Sequence, residues 1–522
     1  MLSEIFLPNS KGLEPTCGES LSTINYQLIN HIPYPVNTRK ALLPIDRIAI
    51  TFMAVLAIVT LILLWSGDRT LPQVRDFNWQ DRSISAEDTA FTLTFNRAID
   101  RSTVEKQIQI QPPLPGKISW AGSRLAYTLT NPAPYGNTFK VSLQGAREAI
   151  GTKRGKEIVP FEGKFRTPDR MFAYISSGVT DRGRIVIYNF KTKKSTTISP
   201  ENLIVTDFKV DSQSQKIIFT ATDPQTLQNR QPAIATQQVY SISTGIAPRN
   251  INKDQQFIPP GKLELILDNR EYQNVKFDLS PDGNKVVVQR VSRRNPSDFA
   301  LWVVALDKSA LPTKLKQSGD FIITPDSKQV AAAVGEGVSI FPLTPTQSSN
   351  LDFLPKFGNV LSFASDGTAA AMVEYNSDYT KSLFVVSNQG IEQQILKTNG
   401  SIWDAKFSPA KDIIYCLATE LKTKDNSSQE EPYLTAIDIK TQKVLLMTLL
   451  PIQQGIQMSL APDGLALMFD QADKGESVDR IIQGGSNGIM WLLPIPYNIR
   501  ELTTPINPDR LPFSGWHPRW LP

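Results

Sequence analysis

The chain has 522 residues, 41% hydrophobic and 20% charged, an ordinary composition for a folded protein but too long for one core, so two or three domains are expected. A net charge of +5 with Lys, Arg, Asp and Glu interspersed leaves no basic stripe to neutralise phosphates, which excludes nucleic acid as the expected partner. Two histidines and two cysteines, with no H-E-x-x-H, C-x-x-C pair or calcium-loop spacing, leave no metal or cofactor centre to expect.

Residues 1–45 contain Pro33, Pro35, scattered Ser and Asn and no sustained periodicity, the composition of a disordered tail. Residues 48–65 then read I-A-I-T-F-M-A-V-L-A-I-V-T-L-I-L-L-W without a charge, bounded by Asp46 and Arg47 and by Asp68 and Arg69. At about 1.5 Å per residue this nearly crosses a hydrocarbon core, and Trp65 stands where an interfacial aromatic belongs, so a transmembrane helix is expected over 46–67. The region ahead of it is too long for a signal-peptide n-region and no small-x-small site follows, so the segment reads as an uncleaved signal anchor. Arg39, Lys40 and Arg47 on one side balance Arg69, Arg75 and Arg82 on the other. A single early anchor normally delivers a large C-terminal part across the membrane, which places the N-terminus in the cytoplasm and the β domains outside. Cys17 and Cys416 then lie on opposite sides, and Cys416, within D-I-I-Y-C-L-A, reads as a buried small hydrophobe.

From 72 to 168 the pattern changes to short alternating runs: F-T-L-T-F (91–95), K-I-S-W (117–120), R-L-A-Y-T-L (124–129) and F-K-V-S-L (139–143), separated by P-P-L-P-G and N-P-A-P-Y-G-N. Half-buried strands at this spacing predict a small β-sandwich, with Trp120 and Phe139 in its core. The string F-T-L-T-F-N-R-A-I-D, then P-G-K-I-S-W, then P-Y-G-N-T-F-K-V-S-L and K-F-R-T, resembles the bacterial Ig-like domain of surface-layer and other envelope proteins. The resemblance implies a spacer or adhesion module and no catalytic residue.

Residues 169–522 repeat one turn. T-P-D-R starts at 167, V-D-S-Q at 210, S-P-D-G at 280, T-P-D-S at 324, A-S-D-G at 364, S-P-A-K at 408 and A-P-D-G at 461. Proline pre-sets the first turn torsion, aspartate binds its own downstream backbone and glycine accepts the left-handed position, so each copy joins two antiparallel strands. Steps of 43, 70, 44, 40, 44 and 53 residues, with outer-strand phrases such as 185–199 and 433–447, predict four-stranded blades. The expected fold class is therefore all-β: a small sandwich followed by a seven-bladed propeller, preceded by one transmembrane helix. The repeats resemble the WD-like propeller repeats of TolB-type bacterial proteins. The first copy lacks an inner strand and the chain finishes H-P-R-W-L-P, so 513–521 is expected to supply it and close the ring.

Catalytic motifs are scarce. G-G-S-N-G at 484–488 matches G-x-S-x-G, but Ser486 is followed by a strand-like I-M-W-L-L-P-I-P instead of a helix, and only His517 lies downstream. The leading expectation is a non-catalytic, membrane-anchored envelope protein whose propeller binds a protein, peptide or glycan. The alternative is a lyase or hydrolase using channel carboxylates. In a propeller the turns between strands one and two share a face with those between three and four. The two-to-three connections lie on the other face, and here they are long at 221–237, 290–299, 419–431 and 471–487. Within that decorated face Arg290, Arg293 and Arg294 of Q-R-V-S-R-R-N-P form the expected partner-binding loop, suited to carboxylate or phosphate groups.

Overall fold

The computed structural model describes residues 44–66, 70–150, 153–228, 232–247, 258–315, 319–344, 352–424, 427–453, 455–472 and 488–522. The tail to residue 43, Ser486 and most of the 471–487 connection lie outside the described residues. Met1–Thr70 and Leu71–Pro522 are two units. In the first, Pro44–Ser66 is one α-helix, and its window Pro44–Ile62 is apolar enough and long enough to cross a membrane. Thr51 and Thr60 hydroxyls donate back to the carbonyls of Arg47 and Leu56 at 2.7 Å, so neither polar side chain is left unpaired along the apolar run.

The second unit begins with two sheets around one core. Val74–Phe77, Ala90–Phe95, Arg124–Leu129 and Gly116–Ala121 form a four-stranded sheet in that order. Ile108–Gln111, Thr138–Leu143 and Phe161–Arg166 form a three-stranded one. Strict alternation puts Phe91, Leu93 and Phe95 inward from one sheet and Phe139, Val141 and Leu143 inward from the other. Phe139 is a core residue as expected, but Trp120 lies at the core's margin. Its indole stacks on Phe95, donates to Glu105 at 2.9 Å and stays partly exposed, because its strand is at the sheet's edge. The fully buried tryptophan is Trp79, outside any strand, packed 5.0 Å from Phe165 and 5.4 Å from Phe91.

Seven four-stranded propeller blades follow, the first and last sharing one strand within a seven-stranded sheet. Blades two to six are each contiguous in sequence, for example Tyr272–Leu279, Lys285–Ser292, Phe299–Ala305 and Thr313–Lys314 in blade three. The repeated turn behaves as its chemistry requires. In blade three Asp282 Oδ1 accepts from Ser280 Oγ at 2.6 Å and from Asn284 N at 3.0 Å, and Gly283 sits at φ 72°. Blades four and five repeat it through Asp326 and Asp366. Where glycine is missing, Ser214, Ser327 and Lys411 take the left-handed position at φ 58°, 59° and 61°. In blade two this shifts the turn by one residue from the sequence reading, to 211–214: Asp211 N bonds Lys216 O as Ser280 N bonds Lys285 O.

The strand Asp509–Trp520 closes the ring twice over. Its first part pairs with Gly488–Pro494 as the outer strand of blade seven. Its last part pairs with Met171–Ser176 as the inner strand of blade one, matching Phe172 with Trp520 and Ile175 with Trp516. One strand thus belongs to the first and last blades, and neither inner edge remains open. Phe172, Tyr188, Phe190, Phe513 and Trp520 pack into an aromatic cluster at this seam, with Tyr188 and Phe513 ring centres 4.4 Å apart.

A second clip joins blades six and seven. Arg500 Nε donates to Asp438 Oδ2 at 2.5 Å and its terminal nitrogen to Asp412 Oδ2 at 2.6 Å, while Thr441 N and Oγ1 also bond Asp438. Burial opposes ionisation of Asp438, but Arg500 and Thr441 outweigh it and hold the carboxyl at about 2. Because the folded value lies below the ordinary 3.8, the clip's contribution is complete above about pH 4 and is lost as pH falls towards 2. Chemical unfolding at stepped pH should therefore show Asp438→Asn less stable than the parent at pH 6, with the two curves converging near pH 2. A constant gap across that window would remove the clip from the acid response.

Candidate functional site

The two faces of the propeller are not equivalent, because the sandwich covers one of them. Asp463 of the blade-seven turn, its side chain 1% exposed, accepts from Tyr135 N at 3.0 Å and pairs with Arg170 at 2.6 Å. Asn131 and Pro132 border a small cavity with Pro409 and Gly464, and Ser85–Glu87 border another with Pro281 and Pro462. The sandwich therefore lies over the one-to-two turns of blades three, six and seven. The opposite face, bearing the two-to-three connections, is the one it leaves open.

That open face carries apolar side chains from four blades. Val179 is 97% exposed, Tyr379 92%, Tyr375 59%, Ile234 48% and Leu421 38%. Tyr379 is the most constrained of them. It occupies φ 64° at the tip of N-S-D-Y-T, where Tyr379 N bonds Asn376 O at 3.0 Å and Thr380 N bonds Asp378 Oδ1 at 3.1 Å. A left-handed conformation at a bulky residue costs on the order of 1–3 kcal/mol and persists only where neighbours enforce it. Here the enforced result is a phenol ring held out in solvent.

The 419–431 segment of blade six is not a loop. Thr419–Lys424 continues the second strand, paired residue by residue with Ser427–Pro432 of the third, so a hairpin projects beyond the blade. Lys422 pairs with Glu431 at 2.7 Å, and the Asn399 side chain bonds both N and O of Leu421, capping one free edge.

The three arginines separate. Arg290 is not in a loop: it is the sixth residue of the strand Lys285–Ser292 and only 7% exposed. Its guanidinium lies 4.9 Å from the Tyr272 ring and 5.5 Å from Trp302, and its Nε donates to Asn274 Oδ1 at 3.0 Å. Arg293 is exposed but donates to the carbonyls of Asn269 and Ala235, tying blade three to the short helix Ala233–Thr236 of blade two. Arg294 alone presents its side chain outward and makes no hydrogen bond or ion pair among the described residues. The charge counted as one cluster in sequence is thus spent partly inside blade three, by Arg290, and partly on tying it to blade two, by Arg293.

The inner strands are stitched around the channel by polar and charged side-chain pairs. His517 Nε2 lies 2.9 Å from Asp207 Oδ1, Lys209 Nζ 3.4 Å from Asp278, and Lys276 pairs with Asp320, each pair crossing from one blade to the next. Burial works against ionisation of Asp207, yet His517, Lys209 and Arg519 hold it at about 2. Burial lowers the His517 imidazole, which favours its neutral form. Asp470 accepts the backbone N–H groups of Gln457 and His517 at 2.6 and 2.7 Å, anchoring the closing strand; burial raises its carboxyl. Among the described residues no group of three or more His, Cys, Asp or Glu is placed to hold a metal ion. Cys416 is buried in blade six, where desolvation pushes its thiol up.

The outward residues Val179, Ile234, Tyr375, Tyr379 and Leu421 were not singled out by sequence. One signal was available: an aromatic inside N-S-D-Y-T has no strand partner to pack against.

No protein-family model and no curated protein matches the sequence. Solved structures do resemble the fold, among them propellers of the TolB and 6-phosphogluconolactonase-like types. TolB from Acinetobacter baumannii superposes with a TM-score of 0.37 at 11% identity, over 80% of this chain and 83% of that one. A 6-phosphogluconolactonase-like protein from Bacteroides uniformis gives 0.42 at 11% identity, over 67% and 99%. An oligogalacturonate lyase in complex with manganese gives 0.44 at 10% identity, over 61% and 84%.

Proposed function

We propose that this chain is a membrane-anchored envelope protein whose propeller binds a protein or peptide partner, without catalysis, through the face that carries the two-to-three connections. The observation that supports this reading is the set of exposed apolar tips on that face, with Tyr379 held in a strained turn, while the sandwich covers the other face. Tyrosine is a preferred interface anchor because it offers a large, rigid, amphipathic contact at low entropic cost. The channel carboxylates are engaged in structure: Asp207 sits far below the near-neutral range that suits a general base, Asp278 and Asp320 are each matched by a lysine from a neighbouring blade, and Asp470, though burial raises its carboxyl, is taken up by the backbone N–H groups of Gln457 and His517. In this reading Pro44–Ser66 is the anchor, the N-terminus is cytoplasmic, and the sandwich is an Ig-like spacer that holds the propeller.

Photo-crosslinking in native membranes tests it. A photoreactive residue at Tyr379 or Ile234 should give one partner adduct in common, and Lys440, on the covered-side turns, should give none. Replacing Tyr379 and Tyr375 with Ser should reduce the Ile234 adduct by about tenfold, in line with loss of interface aromatics. Adducts at Lys440 with none at Tyr379 would place the partner on the wrong face for this proposal.

A further inference from the structure

A second surface stands apart from the open face. Between blades four and five, beside the short turns the sandwich does not cover, lies a groove of about 720 Å³, within the size range of ligand pockets. Its floor is aliphatic and aromatic: Ile340 and Leu354 from blade four meet Phe363 and Met372 from blade five. The outer strand of blade four, Asp352–Leu354, is three residues long, and Phe353 stands half exposed beside the groove.

The rim differs from the floor. Among the described residues its two charged lining residues are Asp326 and Asp366, both acids. Asp366 is taken by Lys411. Asp326 Oδ1 accepts from Thr324 Oγ1 and Lys328 N, and Asp326 makes no close ion pair among the described residues, the Lys328 charge acting on it only at longer range. The side-chain amides of Gln329 and Asn388 line the same groove, and neither makes a side-chain hydrogen bond among the described residues. The turn glycines Gly367 and Gly390, at φ 71° and 79°, leave the space above them empty.

We propose that this groove is a recognition site for an extended peptide segment that seats a Leu- or Phe-type side chain on the floor and a lysine or arginine at Asp326. An apolar floor rewards burial of a hydrocarbon side chain, which favours a Leu- or Phe-bearing peptide over a hydroxyl-covered sugar ring. The acid supplies the charge preference, and the free amides of Gln329 and Asn388 match the donors and acceptors of a peptide backbone. The site is independent of the open-face reading: it lies on other elements, and either can fail alone.

The test uses the full chain in lipid nanodiscs and fluorescence anisotropy with three probes. These are a fluorescein-labelled hexapeptide alternating lysine and leucine, its glutamate-for-lysine counterpart, and a labelled neutral chitin-type oligosaccharide. The lysine peptide should bind, with the glutamate peptide at least about tenfold weaker by charge mismatch. Asp326→Asn should weaken the lysine peptide severalfold and Ala369→Phe, which fills the groove, by about tenfold or more, with unchanged thermal midpoints. Phe353→Ser, an exposed position, should also weaken it and guards against a folding defect in the filled variant. Tyr379→Ser should leave it unaltered. Equal binding of the two peptides, preference for the oligosaccharide, no binding of the lysine peptide, or indifference to all three groove substitutions would each overturn the proposal.

Discussion

Deleting residues 513–522 is expected to unfold the propeller at temperatures where the parent is fully folded. The segment carries Trp516 and Trp520, which pair with Ile175 and Phe172 of blade one, and Trp520 is only 6% exposed. Truncating one buried aromatic costs about 3–5 kcal/mol. Here the loss of Trp520 is joined by the loss of Leu521 from the neighbouring core, of the backbone ladder to Met171–Ser176, and of the Asp470 and Ser459 bonds to His517 N and Trp520 N. Against a typical net stability of about 5–15 kcal/mol this is a large fraction of the whole. The damage also spreads, since Phe172 and Tyr174 would face water along an open strand edge. A milder variant gives the same sign without removing chain: a Cβ at Gly515 would lie 2.5 Å from Ile175 O and 2.6 Å from the Tyr174 ring, so Gly515→Val should lower the melting midpoint too. Calorimetry on both variants is the measurement, and midpoints equal to the parent's would mean that the ring closes without this strand.

This closure was legible in sequence because two local facts pointed the same way: the first repeat lacks an inner strand, and the last residues look like one. The turns were legible for a related reason, since Ser-Pro-Asp-Gly chemistry acts within four residues and needs no distant partner. What sequence could not supply was the third dimension. Arg290, Arg293 and Arg294 look equivalent in Q-R-V-S-R-R-N-P, but their roles are set by Tyr272, Trp302, Asn269 and Ala235, contributed by other strands and connections. In the same way T-E-L-K-T-K and S-S-Q-E-E-P lack an apolar face and read as loop, yet cross-strand pairing makes them a hairpin. The one-residue shift in blade two has a simpler cause: V-D-S-Q-S without proline or glycine accommodates the turn in either register. Nor does strand periodicity carry information about turn tips, which is why Tyr379 passed unnoticed.

Replacing Asp463 with Ala should uncouple the sandwich from the propeller. In blade seven Asp463 Oδ1 serves its own hairpin, accepting from Leu465 N at 3.1 Å, while Oδ2 reaches out of the propeller to Tyr135 N and to Arg170. The carboxylate is almost wholly enclosed and Arg170 is 30% exposed. Removing one partner of a buried pair typically costs about 3–5 kcal/mol, because the other is left without compensation; the partial exposure of Arg170 places this case near the lower end. The missing carboxylate also leaves Tyr135 N without its acceptor in a buried site, a further cost of about 1–3 kcal/mol. Since these bonds join two cores and lie within neither, the loss should appear as separation: a lower-melting transition for the sandwich and faster proteolysis at 167–170, with the propeller transition nearly in place. Asp463→Asn retains an acceptor for Tyr135 N and should fall between the two. A double-mutant cycle with Arg170→Met isolates the pair, with a coupling energy of about 1–3 kcal/mol expected for groups in direct contact. If Asp463→Ala melts in one transition at the parent's midpoint and resists proteolysis equally, the sandwich is held over the turns by its apolar contacts alone.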